Sequence, residues 1–538
     1  MKLVLVAIHI EPSPRALPLG PSMLASVLRR AFGGAIQTRV VDAFVAEPAA
    51  ICAARILASD PEAVGFSMYV WNRGLALEIA ACLKAARPDI IIFAGGAEAT
   101  ADTSGVLADP SMDFVLPGEG EELIVAAMQR LLQGDPPQAL ADWAQSSPVK
   151  DLTNLPSPYL DGTLRPEDYG GALWELSRGC PFTCDFCFEA RGTAGTRRIP
   201  LARVEAELEL FEARGIREVF VLDPTFNYHK VQAKQVLRLI AEKTHRAHFF
   251  FEVRSEFLDQ EMAALFAAVH CTLQIGLQSA HDNVLRNISR SFDPEDFEAK
   301  ILLLHEEGVP YGFDLIYGLP GDSLDGFRQS LDFAMRLVPN HLDVFRLSVL
   351  PGTRLAETAA GLGLTYEAHH PYRVTALPTF SALDLEQAGH IARGCDVLYN
   401  RGRAVPWFGM LLEPLELAPA EVFEAFADWL DAHPGAEPIE GQRSFFQSLF
   451  EAQGDSLLGA LAADVIACFG HSSALLEGPG GDTVAPGPRI PFHHDPRVLM
   501  ARLEAGTTQL EELACSVPSS PCVAEFAWVD GEVTLSVR

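Results

Sequence analysis

Basic residues are scarce in this chain: 41 Lys and Arg stand against 71 Asp and Glu over 538 residues, a formal net charge of -30. Holding a nucleic-acid backbone depends on clustered Lys and Arg, so that class of function is set aside. No run reaches the ~20 consecutive apolar residues that a membrane helix requires, which excludes a helical span and membrane partners. An export signal is missing as well. The opening stretch MKLVLVAIHIEPSPRALPLG is broken by His9, Glu11 and prolines and carries no small-residue cleavage pattern, so it reads as a first strand. A cytoplasmic location follows as the expectation, with the ten cysteines as reduced thiols or metal ligands.

Nucleotide fingerprints are absent too. The glycine-bearing turns AGGAEAT (Ala94 to Thr100) and LPGEGEE (Leu116 to Glu122) are neither GxGxxG nor a Walker A sequence, and ordinary tight turns compete with a cofactor rim there. What surrounds them is regular. Over residues 1–135, KLVLVAI, AVGFSMYV and DIIIFAGG are apolar runs separated by helix-like stretches such as LGPSMLASVLRRAF, and DFVLPGEGEELIVAAMQRLLQ closes the series. Such a pattern predicts an α/β fold with a doubly wound, Rossmann-like parallel sheet that takes its ligand at the carboxyl ends of the strands. Residues 136–172, rich in Pro, Asp and Ser, predict a linker. The alternation restarts over 173–375 in GALWELS, EVFVLDPTF, HFFFEVRS, TLQIGLQSA, PYGFDLIYGLPGDS and HLDVFRLSVLPGT, which suit an open partial (β/α)6 barrel. Residues 376–538 turn mostly helical, as in PAEVFEAFADWLDAHP and QRSFFQSLFEAQG. A Gly/Pro loop, EGPGGDTVAPGPRIP, and a terminal hairpin turning at Asp530-Gly531 complete the chain.

Cys180, Cys184 and Cys187 stand in a CxxxCxxC spacing just after a predicted strand. A structural zinc site takes four protein ligands, and no nearby His or Cys supplies the fourth. Three thiolates suit a four-iron cluster with one iron left open for a substrate or cosubstrate. Elsewhere, Cys395, Cys468, Cys515 and Cys522 lack the tight spacing of a second cluster. His493, His494 and Asp495 form one further candidate for a metal or substrate contact, although neighbouring loop residues seldom ligate one ion.

With an aromatic residue before the last cysteine, the motif resembles that of the radical S-adenosylmethionine (radical SAM) superfamily. The resemblance implies that Cys180, Cys184 and Cys187 bind a 4Fe-4S cluster, that SAM chelates the open iron, and that its reductive cleavage gives a 5'-deoxyadenosyl radical. Phe186 would lie beside the adenine and Asp223 of VLDPTF near the SAM amino group. Glu252 and Arg254 of FEVRSE are further SAM candidates, since a guanidinium suits a carboxylate. Gln278 and Ser279 of IGLQSA point to the same site, and DLIYGLPGDS and VLPGTRL resemble the fifth and sixth strand segments of the family. For each of these polar residues a structural role at a strand end is the competing reading.

A doubly wound domain ahead of such a barrel resembles the cobalamin-binding subclass, a likeness that covers residues 1–375 and extends to a subgroup whose C-terminal domain has no known role. It implies that Gly95, Gly96, Gly118, Glu119 and Gly120 approach the corrin. The DxHxxG sequence that supplies a histidine to cobalt is absent, so the lower face would be covered by the loop of Tyr69, Trp71, Asn72 and Arg73, with interdomain packing as the other role for Trp71. The activity implied is methyl transfer to an unactivated carbon of a small molecule or peptide, with a flavodoxin- or ferredoxin-type electron donor. Cyclisation, rearrangement or oxidation without methyl transfer is the alternative that the same motifs allow. Methylthio transfer to RNA would require three more cluster cysteines in the N-terminal domain, where only Cys52 and Cys82 occur. A simple electron carrier would leave the open iron without a purpose.

Overall fold

A computed structural model describes residues 1–141, 148–189, 195–476, 486–529 and 532–537. The first sheet is built from β1 (Lys2–His9), β2 (Gln37–Phe44), β3 (Ala63–Ser67), β4 (Ile91–Gly95) and β5 (Phe114–Leu116), all parallel in the order β2-β1-β3-β4-β5. Separate apolar clusters cover its two faces, one holding Val4, Val6 and Ile8 and the other Leu3, Leu5 and Phe114. Burial on both sides is why β1 reads as one continuous hydrophobic run. β2, absent from the sequence-derived series, is an edge strand exposed at Gln37 and Arg39 and buried only at Val41 and Ala43, so its polar first half obscures it.

β6 (Gly171–Trp174) opens the second sheet. A short antiparallel pair follows, β7 (Ser177–Arg178) with β8 (Arg197–Arg198), and then come β9 (Glu218–Val221), β10 (His248–Val253), β11 (Cys271–Gln278), β12 (Tyr311–Tyr317) and β13 (His341–Arg346). Six strands run parallel in the sequential order β6-β9-β10-β11-β12-β13, the curved open barrel that the six runs predict. Trp174, Phe249 and Phe251 on the outer face are almost fully buried, and Trp174 meets Phe211 of the helix Leu201–Ala213 edge-on at 5.9 Å. The opposite face looks into the lumen.

Beyond the barrel lie β14 (Thr365–Tyr366), paired with β15 (Val374–Ala376), and helices including Ala382–Cys395, Pro419–Ala432, Pro438–Ala452 and Ser456–Leu476. Their apolar residues continue the barrel core without a break. The expected Gly/Pro loop is corrected in part: its residues 486–490 start β16 (Pro486–His494), which pairs with β17 (Ser519–Val529) and through it with β18 (Glu532–Val537). The rest of that loop, 477–485, and the Asp530-Gly531 turn lie outside the described residues. No helix among the described residues is long and apolar enough to cross a membrane.

Candidate functional site

The cysteine loop leaves the carboxyl end of β6 and is fixed at both ends. Asp223, two residues past the end of β9, accepts the N–H groups of Leu176 and Ser177, each at 2.9 Å, and the Ser177 hydroxyl at 2.6 Å. Burial pushes this carboxyl up to about 6 although those donors oppose the shift. Both of its oxygens thus hold the strand end beside the cysteines. Further on, Asp185 donates its N–H to the Ile288 carbonyl at 3.1 Å, takes the Ser289 hydroxyl at 2.8 Å and accepts the Leu355 N–H on its carbonyl at 2.8 Å. Cys180, Cys184 and Cys187 are half-buried, and burial is the main cause raising the Cys180 thiol. Among the described residues no three His, Cys, Asp or Glu side chains converge as ligands of a single ion. An iron–sulfur cube receives each thiolate on a different iron and so requires wider spacing, which this pinned loop with its three cysteines fits. Phe186 packs half-buried against the barrel core.

Inside the lumen, polar groups collect on β10 to β13. Glu252 is reachable by solvent yet walled in; that desolvation, with Asp314 and Glu189 nearby, pushes it up to about 7. Asp314 is raised to about 6, chiefly by burial, while it accepts Gln274 Nε2 at 2.7 Å. A bulge between Gly276 and Gln278 puts Gln278 at φ +60°, and its Oε1 is buried without a partner. Arg290, unremarked in the sequence, donates Nη2 to the Gly276 carbonyl at 2.8 Å and keeps a buried Nε with no acceptor. Burial and the nearby Arg254 lower its pKa, against the pull of Cys184, Glu256 and Asp314. Its sequence neighbours, Ser289, Ser291 and Asp293 among them, gave no signal for a buried cation.

Two of the SAM candidates have partners within the chain. Ser279 is fully buried, 3.3 Å from the Ser330 hydroxyl of the helix Leu324–Arg336, and turns its side chain away from the lumen. Arg254 is engaged elsewhere: its Nε donates to Glu256 at 3.1 Å and its guanidinium covers the Phe182 ring at 3.9 Å.

At the carboxyl edge of the first sheet, Gly96 has φ +95°, and a Cβ there would stand 2.7 Å from the Met68 carbonyl oxygen. Only glycine lets the ends of β3 and β4 come that close. Gly95 ends β4, Gly118 (φ +80°) donates to Thr100 Oγ1 at 2.8 Å, and Gly120 starts the helix Gly120–Leu132 against Leu24. Trp71 stacks on Tyr69 at 4.5 Å and donates Nε1 to the Ile8 carbonyl at 3.3 Å, and both rings are 37% exposed. The Tyr69 phenol, raised first by desolvation, also faces Glu189 and Glu175 of the cysteine loop. Glu119 is engaged by residues beyond the first sheet. It accepts Arg197 Nη2 at 2.5 Å, Arg178 Nη1 at 3.3 Å and the Val149 N–H at 2.8 Å. Burial pushes Glu119 up, but the Arg197 bond, the Val149 N–H and Arg178 outweigh it and hold the carboxyl below its usual range. Arg178, two residues before Cys180, also binds Glu121 at 2.6 Å and Glu175 at 2.8 Å. The two sheets thus turn their carboxyl edges towards one space, with the cysteine loop tied to the rim of the first. In the C-terminal part, His494 Nδ1 and the N–H groups of His493 and His494 all lie 2.9 Å from Asp464 Oδ2, a fully buried carboxylate. That pair braces β16 against a helix, which corrects the metal or substrate reading of these histidines.

Residues 174–334 match the family model of the radical SAM superfamily, and residues 7–128 that of the B12 binding domain. The chain is 25% identical over 330 residues to the cobalamin-dependent radical SAM methyltransferase TokK of Streptomyces tokunonensis, covering 55% of this chain and 48% of that protein. It is 26% identical over 348 residues to the 2-(S-pantetheinyl)-carbapenam-3-carboxylate methyltransferase of Streptantibioticus cattleyicolor, 57% of this chain and 50% of the relative. It spans about half the length of these two relatives. Among solved structures, TsrM from Kitasatospora setae with cobalamin and a [4Fe-4S] cluster bound superposes with a TM-score of 0.57 at 18% identity, over 84% of this chain and 99% of that one. OxsB with aqua-cobalamin and S-adenosylmethionine bound gives 0.58 at 15% identity, over 87% and 78%. At such identities the likeness concerns the fold.

Proposed function

Because the chain belongs to the radical SAM superfamily and carries a B12 binding domain ahead of its radical SAM domain, we propose that it is a cobalamin-dependent radical SAM methyltransferase acting on an unactivated carbon of a small molecule or peptide. The observation that carries this reading is the shared space between the two sheet edges, joined by Arg178 and Glu119. When bound, the cluster and SAM supply a reducing electron and a carbon-centred radical, and cobalamin supplies a methyl carrier.

The chain's own residues divide the work. Cys180, Cys184 and Cys187 hold the cluster, and Phe186 stands beside the adenine. Gln278, with an acceptor left bare, and Asp314 suit the two ribose hydroxyls, which are donors. Arg290, with a donor left bare beside the cysteine loop, suits the SAM carboxylate in place of Arg254. Asp223 is a positioning residue for the loop. Gly95, Gly96, Gly118 and Gly120 let a flat macrocycle approach the backbone, and Trp71 with Tyr69 forms an aromatic slab facing it. The functional units proposed are 1–135 for cobalamin, a linker at 136–172, 173–375 for the radical reaction and 376–538 with no assigned role. A flavodoxin- or ferredoxin-type protein in the cytoplasm is the proposed reductant.

The test is anaerobic reconstitution with iron, sulfide and hydroxocobalamin, beside the variant with Ala at Cys180, Cys184 and Cys187. Cobalt retained by both proteins and iron lost only from the variant is the expected result. On turnover, S-adenosylhomocysteine should accumulate together with 5'-deoxyadenosine. Formation of 5'-deoxyadenosine alone, or a wild-type protein that keeps iron but no cobalt, would overturn methyl transfer.

A further inference from the structure

Between β1 and the helix Leu19–Phe32 the chain leaves the first sheet and enters the barrel. Pro14 sits on the first residue of β6: a Cβ on Gly171 would stand 2.5 Å from the Pro14 carbonyl oxygen, so only glycine admits the loop there. The Ala16 N–H then closes a turn onto the Ser13 carbonyl at 2.9 Å, and Leu17, 3% exposed, is buried in the barrel core. Arg15 is therefore fixed from both sides, and its side chain extends into the lumen. There Phe220 and Phe250, which alternate with the outward Val219 and Phe249 along β9 and β10, stack on each other at 4.5 Å and 9°. The guanidinium lies 4.4 Å from the Phe220 centroid and 5.3 Å from that of Phe250.

A guanidinium held by its face keeps its five N–H donors in the plane, free for another group. Among the described residues no carboxylate, carbonyl or hydroxyl takes any of them, and Arg15 is exposed. Carboxylates are not in short supply, since Asp and Glu number 71 against 41 Lys and Arg. Arg178, Arg197 and Arg73, which also border the space between the domains, are each engaged: with Glu121 at 2.6 Å, Glu119 at 2.5 Å and Glu98 at 2.9 Å. Glu11 on the same loop and Glu218, two residues before Phe220, make no ion pair with Arg15. Apolar side chains beside it are also uncovered: Ile10 is 63% exposed, and Leu173 of β6, level with Phe220 in register, is half-buried. This corner is separate from the SAM contacts proposed above. Phe250 is level with Thr272, well before Gln278 on β11.

We propose that Arg15 is a specificity-determining residue that receives a carboxylate of the substrate, whose class is therefore carboxylic acids carried on an apolar body. A carboxylate accepts two parallel N–H bonds from the guanidinium edge while Phe220 and Phe250 keep its face. Ile10 and Leu173 take the apolar part, which places the substrate between the barrel and the carboxyl end of β1. The assignment rests on the functional reading above only for the reaction that follows, since the loop binds the anion whatever that reaction is. The carboxylate of SAM and the phosphate of cobalamin are the other anions at hand, and the experiment separates the three.

Hydrocinnamate and its neutral amide, hydrocinnamamide, are titrated by ligand-observed NMR against the full chain reconstituted with iron, sulfide and hydroxocobalamin. Bound cobalt, and labelled SAM by equilibrium dialysis, are measured on the same samples. Wild type should prefer the carboxylate by about tenfold, the scale of a charge-assisted bond in a half-open site. Arg15→Gln should bring acid and amide to within about twofold of each other. Arg15→Lys, which keeps the charge without the planar fork and guards against a folding artefact, should hold a preference of about threefold. Cobalt content and SAM affinity should stay within about twofold in both variants. A wild type that binds neither probe or shows no preference, a preference that survives in Arg15→Gln, or a loss there confined to cobalt or SAM would each overturn the assignment. Failure of the methyltransferase reading appears separately, as missing cobalt in wild type or missing S-adenosylhomocysteine with the carboxylate preference intact.

Discussion

Replacing Glu119 by Ala should loosen the cysteine loop from a distance. Its carboxylate accepts Arg197 at 2.5 and 2.9 Å, Arg178 at 3.3 Å and the Val149 N–H at 2.8 Å, with side-chain exposures of 21% for Glu119, 14% for Arg178 and 18% for Arg197. Breaking a fully buried ion pair costs about 3–5 kcal/mol and an exposed one at most about 1. These groups lie between those limits. Arg178 keeps Glu121 and Glu175 after the change, whereas Arg197 loses its carboxylate partner among the described residues. About 2 kcal/mol is then the expected cost, equivalent to about a 30-fold rise in local opening. Hydrogen exchange of amides 176–189 reads it directly, because opening and exchange are proportional when reclosing is fast. Glu122→Ala, an exposed change on the next helical turn, is the control. The latch also has a pH sense: Glu119 is held below the usual carboxylate range, so its contribution persists above that range and fades as pH falls through the lowered value. Exchange within threefold of wild type, or an equal rise in Glu122→Ala, would refute the coupling.

Gly96→Ala combines φ +95° with a Cβ 2.7 Å from the Met68 carbonyl, so it should destabilise the first domain by about 3 kcal/mol or more, visible as an earlier denaturant transition and lost cobalt retention. Asp464→Asn keeps the shape but removes the charge that three donors share, and should cost about 2–3 kcal/mol in unfolding while iron content stays unchanged. Glu252, pushed up to about 7 chiefly by desolvation, ionises as pH rises from 6 to 8, a change that Glu252→Gln removes. Burial opposes that ionisation in the fold, so the same rise in pH lowers folded-state stability, which calorimetry on the two proteins would compare.

Strands buried on both faces were legible because nothing in them contradicts their burial. β1, β3 and β4 are unbroken apolar runs, whereas the barrel strands were found from short β-rich runs alternating with helical stretches. β2 escaped because an edge strand satisfies water on one side, and its Gln, Arg and Asp look like loop composition. Residues 486–490 escaped for the converse reason. Pro486, Gly487 and Pro488 read as punctuation, yet β16 lies at the edge of its sheet, where a missing N–H costs nothing.

The site divides along a different line. A cysteine spacing is local and survives in one dimension, so the cluster loop could be named from sequence. What holds the loop is not local. Asp223 reaches it over 46 or 47 residues, Arg197 meets Glu119 over 78, and Arg290 reaches the Gly276 carbonyl only after a helix turns back on β11. Residue type alone therefore does not give the partners of the charged groups. Arg254 looked free and is covered by Glu256 and Phe182, whereas Arg290 looked ordinary and keeps a bare donor. The informative quantity is the hydrogen-bond balance of each group, which exists only once the fold has chosen its partners. By that measure Glu119 and Asp223 belong to the frame, and Glu252, Gln278 and Arg290 are the groups still waiting for something to bind.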